Sequence, residues 1–581
     1  MKCIPNHCKM VSRYILLGSG AIGRMAVLLL LLPLPNIGSR SDAVLKAEDN
    51  IYFVDATEKS NLKFKHENGA SGEGYLVEFM GAGVCIFDAN NDGFADVYFL
   101  NGLPLPGMPL PNSNPNLQPQ DHLFLNLQDG TFRESLVESR IAESGYGLGV
   151  TAADFDNDGF QDLYINNYGP NQLLRNNGDG TFSDITESVA VADGNKFGAG
   201  ANFLDIDSDG DLDLFSANYV EFSFERHHKL APSAFPYSPG PKDFPAAPDT
   251  LFLNNGDGTF SDISRSSGIA AVAGPSMGVV ASDLTEDGLP DILVVCDGEP
   301  NLLYRNEGNG KFVEDALLAG LAYDLRGLPN GNMGVELGDL DGDGLQDLFV
   351  TDYAAQLPIQ YRNLGLGLFS DVTRLTKAGT AVFPHVTWGI GMVDFDCDRD
   401  RDIFICVGHI LENAKEIEPK TDYKVENCVM ENEGNQFRDA SAEAGLALKH
   451  TESSRGAAFE DLDNDGDVDC VILNCGAESQ YLENQTVHEN HWLEIRLVGV
   501  TGNRDGIGSE VLVSTGSVQQ VQVVCSGRGY QSHYGTRLHF GLGNAQSVEQ
   551  IEINWFGRRK QKLRNVEIDQ ILTIVETQDQ E

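Results

Sequence analysis

Oxygen-bearing side chains recur along this chain at a spacing suited to a hard cation. The pattern Asp-x-Asp-x-Asp-Gly-x-x-Asp, or a close variant, comes round seven times, beginning at Asp88, Asp154, Asp205, Asp283, Asp339, Asp394 and Asp461. Donors at positions 1, 3, 5 and 9, with a glycine at 6 for a sharp turn, can enclose an ion that takes six to eight oxygens, as Ca2+ does. The predicted ligands of the first three loops are Asp88, Asn90, Asp92 and Asp96; Asp154, Asp156, Asp158 and Asp162; and Asp205, Asp207, Asp209 and Asp213. The fourth loop offers Asp283, Asp287 and Asp291, and the fifth Asp339, Asp341, Asp343 and Asp347. The sixth offers Asp394, Asp396, Asp398 and Asp402, and the seventh Asp461, Asp463, Asp465 and Asp469. Up to seven Ca2+ sites follow from these loops. An EF-hand is excluded, because it needs a bidentate Glu at position 12 between helices, and here position 12 is Ile165 or Ser216 inside an apolar run. Two loops depart from the pattern. The fourth has Thr285 at position 3, a neutral ligand, and the sixth has Arg399 in the glycine position. A positive φ there would strain the backbone, and the side chain would bring a cation to the site.

Repeated flanks must hold these loops. A glycine stands five residues before each first Asp: Gly83, Gly149, Gly200, Gly278, Gly334, Gly389 and Gly456. After each last Asp comes a short apolar run such as Asp162-Leu-Tyr-Ile, then a Leu/Tyr-x-Asn segment such as Leu174-Arg-Asn176. A Gly-rich turn follows, and the unit closes on Phe-x-Asp, as at Phe182-Ser-Asp184. Apolar runs of this length between Gly/Asn/Asp turns predict strands. Each unit then has four strands, A to D, with the acidic loop between A and B. Four-stranded units recurring at 51 to 78 residues suit the blades of a β-propeller. The seventh unit lacks its own Phe-x-Asp strand, and Phe53-Val-Asp55 near the N-terminus supplies the missing copy. The expected fold is all-β: a seven-bladed β-propeller over residues 51–486, closed by that N-terminal strand, with a small β-sandwich over 487–577. The sandwich follows from period-2 stretches such as His491-Trp-Leu-Glu-Ile-Arg-Leu and Gln550-Ile-Glu-Ile-Asn-Trp.

These units resemble FG-GAP/VCBS repeats, as in integrin α-subunit propellers. The end of the chain, from Gly502-Asn-Arg-Asp-Gly-Ile-Gly508 through His539-Phe-Gly-Leu-Gly543 to Asn554-Trp-Phe-Gly557, resembles the ASPIC/UnbV domain. The pairing is similar to the secreted cartilage acidic protein family. The resemblance implies a secreted, calcium-binding protein without enzymatic activity, and says little about ligands.

A net charge of −46 on 581 residues argues against nucleic-acid binding, which needs a basic face. The excess is local, since residues 487–577 carry as many basic as acidic side chains. At the N-terminus, Gly18-Ser-Gly-Ala-Ile-Gly23 mimics a dinucleotide fingerprint, yet Pro33, Pro35 and Gly38 break the chain where a helix would be needed. A basic start, the apolar core Ala26–Leu32 and small residues near Ala43 predict instead an export signal over residues 1–43. The mature chain is then secreted, extracellular or periplasmic, with no membrane-spanning segment. Export permits disulfides: Cys85, Cys296 and Cys525 read as buried thiols, Cys406 with Cys428 is favoured as a bridge over Cys470 with Cys475, and spacing leaves the connectivity open.

No catalytic constellation stands out. Gly274-Pro-Ser276-Met-Gly278 matches a nucleophile-elbow string but sits in a strand-A position. His488-Glu-Asn-His491 is one residue short of a zincin motif. The long insertions all follow strand B: Leu103–Gln120, Glu221–Pro248 and His409–Tyr423. They put a recognition face opposite the acidic loops, where Asn101, Asn167, Asn218, Asp352 and Asn474 with the neighbouring Tyr168, Tyr219 and Tyr353 either ring its mouth or, for the asparagines, simply cap turns. Arg558, Arg559, Lys560, Lys562 and Arg564 form a basic cluster that reads first as a solvated hairpin, with docking on the acidic repeats or on an anionic partner as the alternatives. The function expected is an extracellular binding or adhesion module whose partner is a protein or a glycan. A glycan-active enzyme and a structural calcium-binding matrix protein are the alternatives.

Overall fold

The computed structural model describes residues 50–81, 83–105, 120–135, 145–230, 239–556 and 559–577. The expected export signal, Phe235, Arg558 and most of the Leu103–Gln120 insertion lie outside them. Residues 53–484 form four-stranded antiparallel units in the expected A–B–C–D order; five are separate sheets, and two share one eight-stranded sheet. The shared sheet arises where Lys196 pairs with Gly169 and Phe197 with Tyr168. The first strands are Val84–Phe87, Tyr146–Ala153, Lys196–Leu204, Ser276–Ser282, Val335–Gly338, Thr387–Val393 and Ser454–Glu460. Each packs against the next, and Ser454–Glu460 returns to Val84–Phe87, so the order of contacts is cyclic. Phe53–Asp55 is the fourth strand of the last unit, with Phe53 opposite Asn484 and Asp55 opposite Leu482. That pairing covers a sheet edge the last unit would otherwise expose.

The strand-A glycines mark where neighbouring units crowd together. A Cβ on Gly149 would lie 2.1 Å from Ala199 O, one on Gly334 2.5 Å from Trp388 O, and one on Gly389 2.5 Å from Arg455 O. In each case the obstacle is the residue just before the next unit's glycine. First and second strands are buried on both sides between adjacent units, as Val84–Phe87 and Asp162–Ile165 show. Hence they read as continuous apolar runs rather than as alternation.

Beyond the repeats, two sheets face each other. His491–Val498, Arg537–Gly543 and Ile571–Val575 make one, and Glu510–Thr515, Val518–Val523, Val548–Trp555 and Arg559–Val566 make the other. Leu493, Ile495, Val511, Val513, Phe540, Ile551 and Ile553 fill the space between them. From this sandwich a loop, Cys525–Gly535, reaches into the middle of the cycle. Val335 and Gly529 exchange backbone hydrogen bonds at 3.0 and 2.9 Å, and Ile86 N–H donates to His533 O at 2.9 Å. Val150 N–H donates to Gln531 O at 3.1 Å. At the tip, Tyr530 O–H donates to Met80 O at 2.7 Å and its ring meets Trp388 edge-on at 5.0 Å. The seven first strands therefore pack around a segment of the C-terminal sandwich rather than around solvent.

Two expectations are corrected, and of the readings left open for the basic cluster, docking on the repeats is set aside. Among the described residues all eight cysteines are free and buried. Cys428 pairs across the sheet with Ile405, so Cys406 faces the other side and the two thiols belong to different cores. The basic strand Arg559–Val566 does not dock on the repeats: Lys560 and Lys562 pair with Glu552, and Arg559 with Glu576. Tyr219 is fully buried and donates to Asp297 at 2.6 Å, so it does not line an open mouth.

Candidate metal centres

The seven acidic loops share one hydrogen-bond scaffold. The position-1 carboxylate accepts the position-6 N–H at 2.7–3.0 Å in every loop. The position-5 carboxylate accepts the N–H two residues on, at 2.9–3.1 Å. The position-9 carboxylate opens strand B and accepts the backbone N–H of the strand-C asparagine at 2.7–2.9 Å. These bonds orient the end carboxylates and leave further lone pairs aimed inward. In four loops, positions 1, 3 and 9 converge with ligand oxygens within 4.8 Å of one another: Asp154, Asp156 and Asp162; Asp205, Asp207 and Asp213; Asp339, Asp341 and Asp347; Asp394, Asp396 and Asp402. In the first loop, Asn90 donates to Asp92 at 3.1 Å, and in the fourth, Thr285 N–H donates to Asp291 at 3.0 Å.

Burial pushes the Asp154, Asp205, Asp291, Asp347 and Asp461 carboxyls up to about 7, and Asp213 to about 8. Neighbouring carboxylates add to the rise. Such crowding is costly without a counter-charge, and an all-oxygen donor set matches a hard divalent cation. The residues therefore fit a metal ion of that class.

Arg399 adopts φ 93°, within the 87–101° range of the glycines at the same position in the other six loops. The left-handed backbone costs an L-residue about 1–2 kcal/mol. Its guanidinium turns away from the carboxylates and donates to Leu542 O at 2.8 and 2.6 Å, bonds that offset the strain. Arginines also enter two loops that sequence reasoning treated as regular. Arg175 pairs with Asp156 at 2.7 Å and with Asp158 at 3.0 Å, and Arg362 pairs with Asp341. Both stand one residue before the strand-C asparagine, so the Arg-Asn dipeptide was the available signal.

That asparagine has a role missed in the sequence. Its side-chain amide donates across to the position-2 carbonyl of the preceding unit's loop. The bonds are Asn126 to Leu462 O, Asn176 to Ala89 O, Asn254 to Phe155 O, Asn306 to Ile206 O, Asn432 to Leu340 O and Asn484 to Phe395 O, at 2.7–3.2 Å. Asn363 makes only the within-unit bond, to Gln346 O at 3.1 Å, whose equivalent most of the others make as well. Each acidic loop is thus held by its own strand C and, with one exception, by its neighbour's.

The sandwich sits on this side of the repeats. Arg496 approaches Asp88 at 3.4 Å, Arg504 N–H donates to Asn157 at 2.9 Å, and Asn490 donates to Asp396 O at 2.9 Å. Asp505 accepts the Asp154 N–H at 2.8 Å and the Gln161 amide at 3.3 Å. Arg537, nearly buried, pairs with Glu460 at 2.7 Å and Glu494 at 3.0 Å and donates to Asn464 at 2.6 Å.

On the opposite side, the residues expected at the mouth are largely internal. Asn101, Asn167, Asn218, Asp352 and Asn474 are buried, and they tie the strand-B ends to local backbone, as in Asn218 N–H to Asp249 at 2.9 Å. Within the Glu221–Pro248 insertion, the helix Phe224–Leu230 folds onto Tyr75. His228 Nε2 lies 3.1 Å from the Tyr75 hydroxyl, and the His227 and Phe224 rings pack 4.7 and 4.9 Å from that of Tyr75. A cavity of about 440 Å³ opens beside this insertion, lined by Lys242, Phe244, Pro275, Glu299, Pro300 and Tyr323. Ser276 lies buried within a strand and donates to Asp249 at 3.1 Å.

Among the described residues no helix is long and apolar enough to cross a membrane. Comparison with known proteins agrees with the repeat pattern. Cartilage acidic protein 1 of Mus musculus is 24% identical over 473 residues, covering 75% of this chain and 66% of the relative. The Homo sapiens protein of the same name is 24% identical over 471 residues, covering 75% and 64%. The chain thus spans just under two thirds of the length of these relatives. A solved Agrocybe aegerita lectin, described as recognising non-reducing terminal N-acetylglucosamine, is 16% identical and covers 68% of this chain and 85% of its own, at a TM-score of 0.38, too low to carry an argument. FG-GAP-like repeats match residues 88–165, 154–216, 245–294, 283–350 and 339–405, and ASPIC and UnbV matches residues 499–581. The chain belongs to the FG-GAP-like repeat proteins that carry a C-terminal ASPIC and UnbV domain.

Proposed function

We propose that this protein is an extracellular, non-enzymatic binding module in which Ca2+ in the acidic loops stiffens the repeats and the opposite side meets the partner. The observation that carries this reading is the asymmetry of the two sides. The acidic loops are engaged by neighbouring asparagines and by the sandwich, whereas the other side bears the insertions and the 440 Å³ cavity. That volume suits a small ligand or a side-chain anchor of a larger partner. Lys242 and Glu299 supply charge, and Phe244 and Tyr323 supply ring faces, a mixture suited to a protein or glycan. The extracellular setting agrees with low-affinity calcium loops, which fill only at millimolar calcium.

The test is a glycan and matrix-protein array probed with the purified chain in calcium. Lys242→Glu and Tyr323→Ala should weaken the strongest signal at least tenfold without moving the melting temperature. If only changes in the turns on the acidic side, such as Asp179→Ala or Asp257→Ala, abolish the signal, the binding side has been misassigned.

A further inference from the structure

Cys397 stands apart from the oxygen donors of the sixth loop. It occupies position 4, with φ 57°, and its side chain faces the seam with the sandwich. There the Cys397 thiol, the Asp467 carboxylate and the His488 ring offer ligand atoms that all lie within 4.8 Å of one another. The three come from different segments. Asp467 follows the turn of the seventh loop, and His488 lies in the stretch that leads into His491–Val498.

The His488 ring turns its Nε2 edge toward this group and its Nδ1 edge away from it, toward the Asn490 backbone. Its Nε2 lies 3.0 Å from Asp467 Oδ1 and is the ring nitrogen placed to bind an ion shared with that carboxylate, in a side chain only 10% exposed. A second imidazole adjoins the group: His539 Nε2 is 3.8 Å from Cys397 Sγ and 2.8 Å from Gly466 O, and its Nδ1 is buried without a partner. A buried ring nitrogen left unpaired is costly.

We propose that Cys397, Asp467 and His488 bind a borderline-soft transition ion of the Zn2+ class, at a site separate from the acidic loops. The donor set decides the class. Thiolate and imidazole are ligands of zinc and its neighbours, whereas calcium takes oxygen. In a tetrahedron with zinc's usual bond lengths the ligand atoms lie about 3.5 Å apart, so a spacing within 4.8 Å closes by no more than about 1.3 Å. Binding forms a metal–sulfur bond and releases the thiol proton to solvent. The fourth position goes to water, with His539 beside it. Such an ion would clamp the sixth loop, the seventh loop and the entry to the sandwich together.

The full chain, stripped with a chelator and returned to calcium, is titrated with Co2+ and then Zn2+. The expected result is one Co2+ per chain with a thiolate-to-cobalt charge-transfer band that Zn2+ erases. The band should vanish in Cys397→Ser and survive in Cys428→Ser. His488→Gln should weaken binding at least tenfold, since even outer-shell changes cost 10–100-fold. No band in the unaltered protein, or a band that persists in Cys397→Ser, overturns the proposal. If Cys397→Ser does not fold, zinc X-ray absorption on the unaltered chain decides. One sulfur at about 2.3 Å supports the site, and a shell of oxygen and nitrogen alone overturns it.

Discussion

The two sides of the repeat cycle are built from opposite ends of the same strands, yet they are organised by different rules. On the acidic side every unit repeats one scaffold of carboxylates and backbone donors, and the sandwich settles on it through Arg496, Arg504 and Arg537. On the other side the units differ, with insertions of unequal length and a cavity beside only some of them. Repetition marks what each unit must do for its neighbours and for an ion. Variation marks what each is free to present outward. On the acidic side, Arg496 and Arg537 of the sandwich offset part of the carboxylate charge, and the proposed ions would offset more.

The largest test of that contrast is removal of calcium. Each site whose Kd is about a tenth of the free calcium adds about 1.4 kcal/mol by mass action. Several sites together should shift the melting temperature by about 5–10 °C in a chain of this size. Calorimetry with chelator, then with calcium or magnesium restored, reads this directly. Recovery should come with calcium and poorly with magnesium, which dehydrates reluctantly. An unchanged melting curve would remove the acidic loops from the account.

The pH dependence of the metal-free chain comes next. Asp154, Asp205 and Asp461 hold their protons up to about pH 7 when folded, against about 3.9 when unfolded. Stability from these groups is therefore present below about pH 4 and is lost as pH rises through about 7. Chelated protein should melt higher at pH 5 than at pH 8, and the protection given by calcium should grow with pH. A metal-free melting temperature that rises over this interval would contradict the buried crowding of carboxylates.

At the seam, Arg537→Met leaves Glu460 and Glu494 without their partner. Removal of one member of a buried pair costs about 3–5 kcal/mol, so denaturant unfolding should show a loss of that size. A change near zero would mean that the sandwich rests on the repeats without depending on them.

The smallest effect separates one unit from the rest. Asn176→Ala removes a bond to the neighbouring loop and strands Ala89 O, at a cost of about 1–3 kcal/mol. Asn363→Ala loses bonds only within its own unit, to Gln346 O and from the Gly365 N–H, and should cost about 1 kcal/mol less than Asn176→Ala. Equal losses would show that the cross-unit bonds add nothing.

Much of this was legible in the residues themselves. The acidic loops, the order of strands and the N-terminal Phe53–Asp55 in the last unit all follow from spacing and turn chemistry, which act within a few residues of chain. The burial of Tyr219 was not legible, because its partner Asp297 stands 78 residues away. Nor could the Cys406–Cys428 pair be judged before the strand register placed the two thiols on opposite faces. Arg496 and Arg537, isolated in the sequence, reach acidic residues of the repeats without any local cluster to signal it.

Sequence alone determined the repeated local structure, because a turn that gathers carboxylates and a glycine that admits a neighbouring carbonyl are short-range demands. Only the tertiary structure decided where the sandwich sits, that its Cys525–Gly535 loop fills the middle of the repeats, and that Cys397, Asp467 and His488 meet. Those contacts join residues tens to hundreds of positions apart, and no local pattern encodes a partner at that distance.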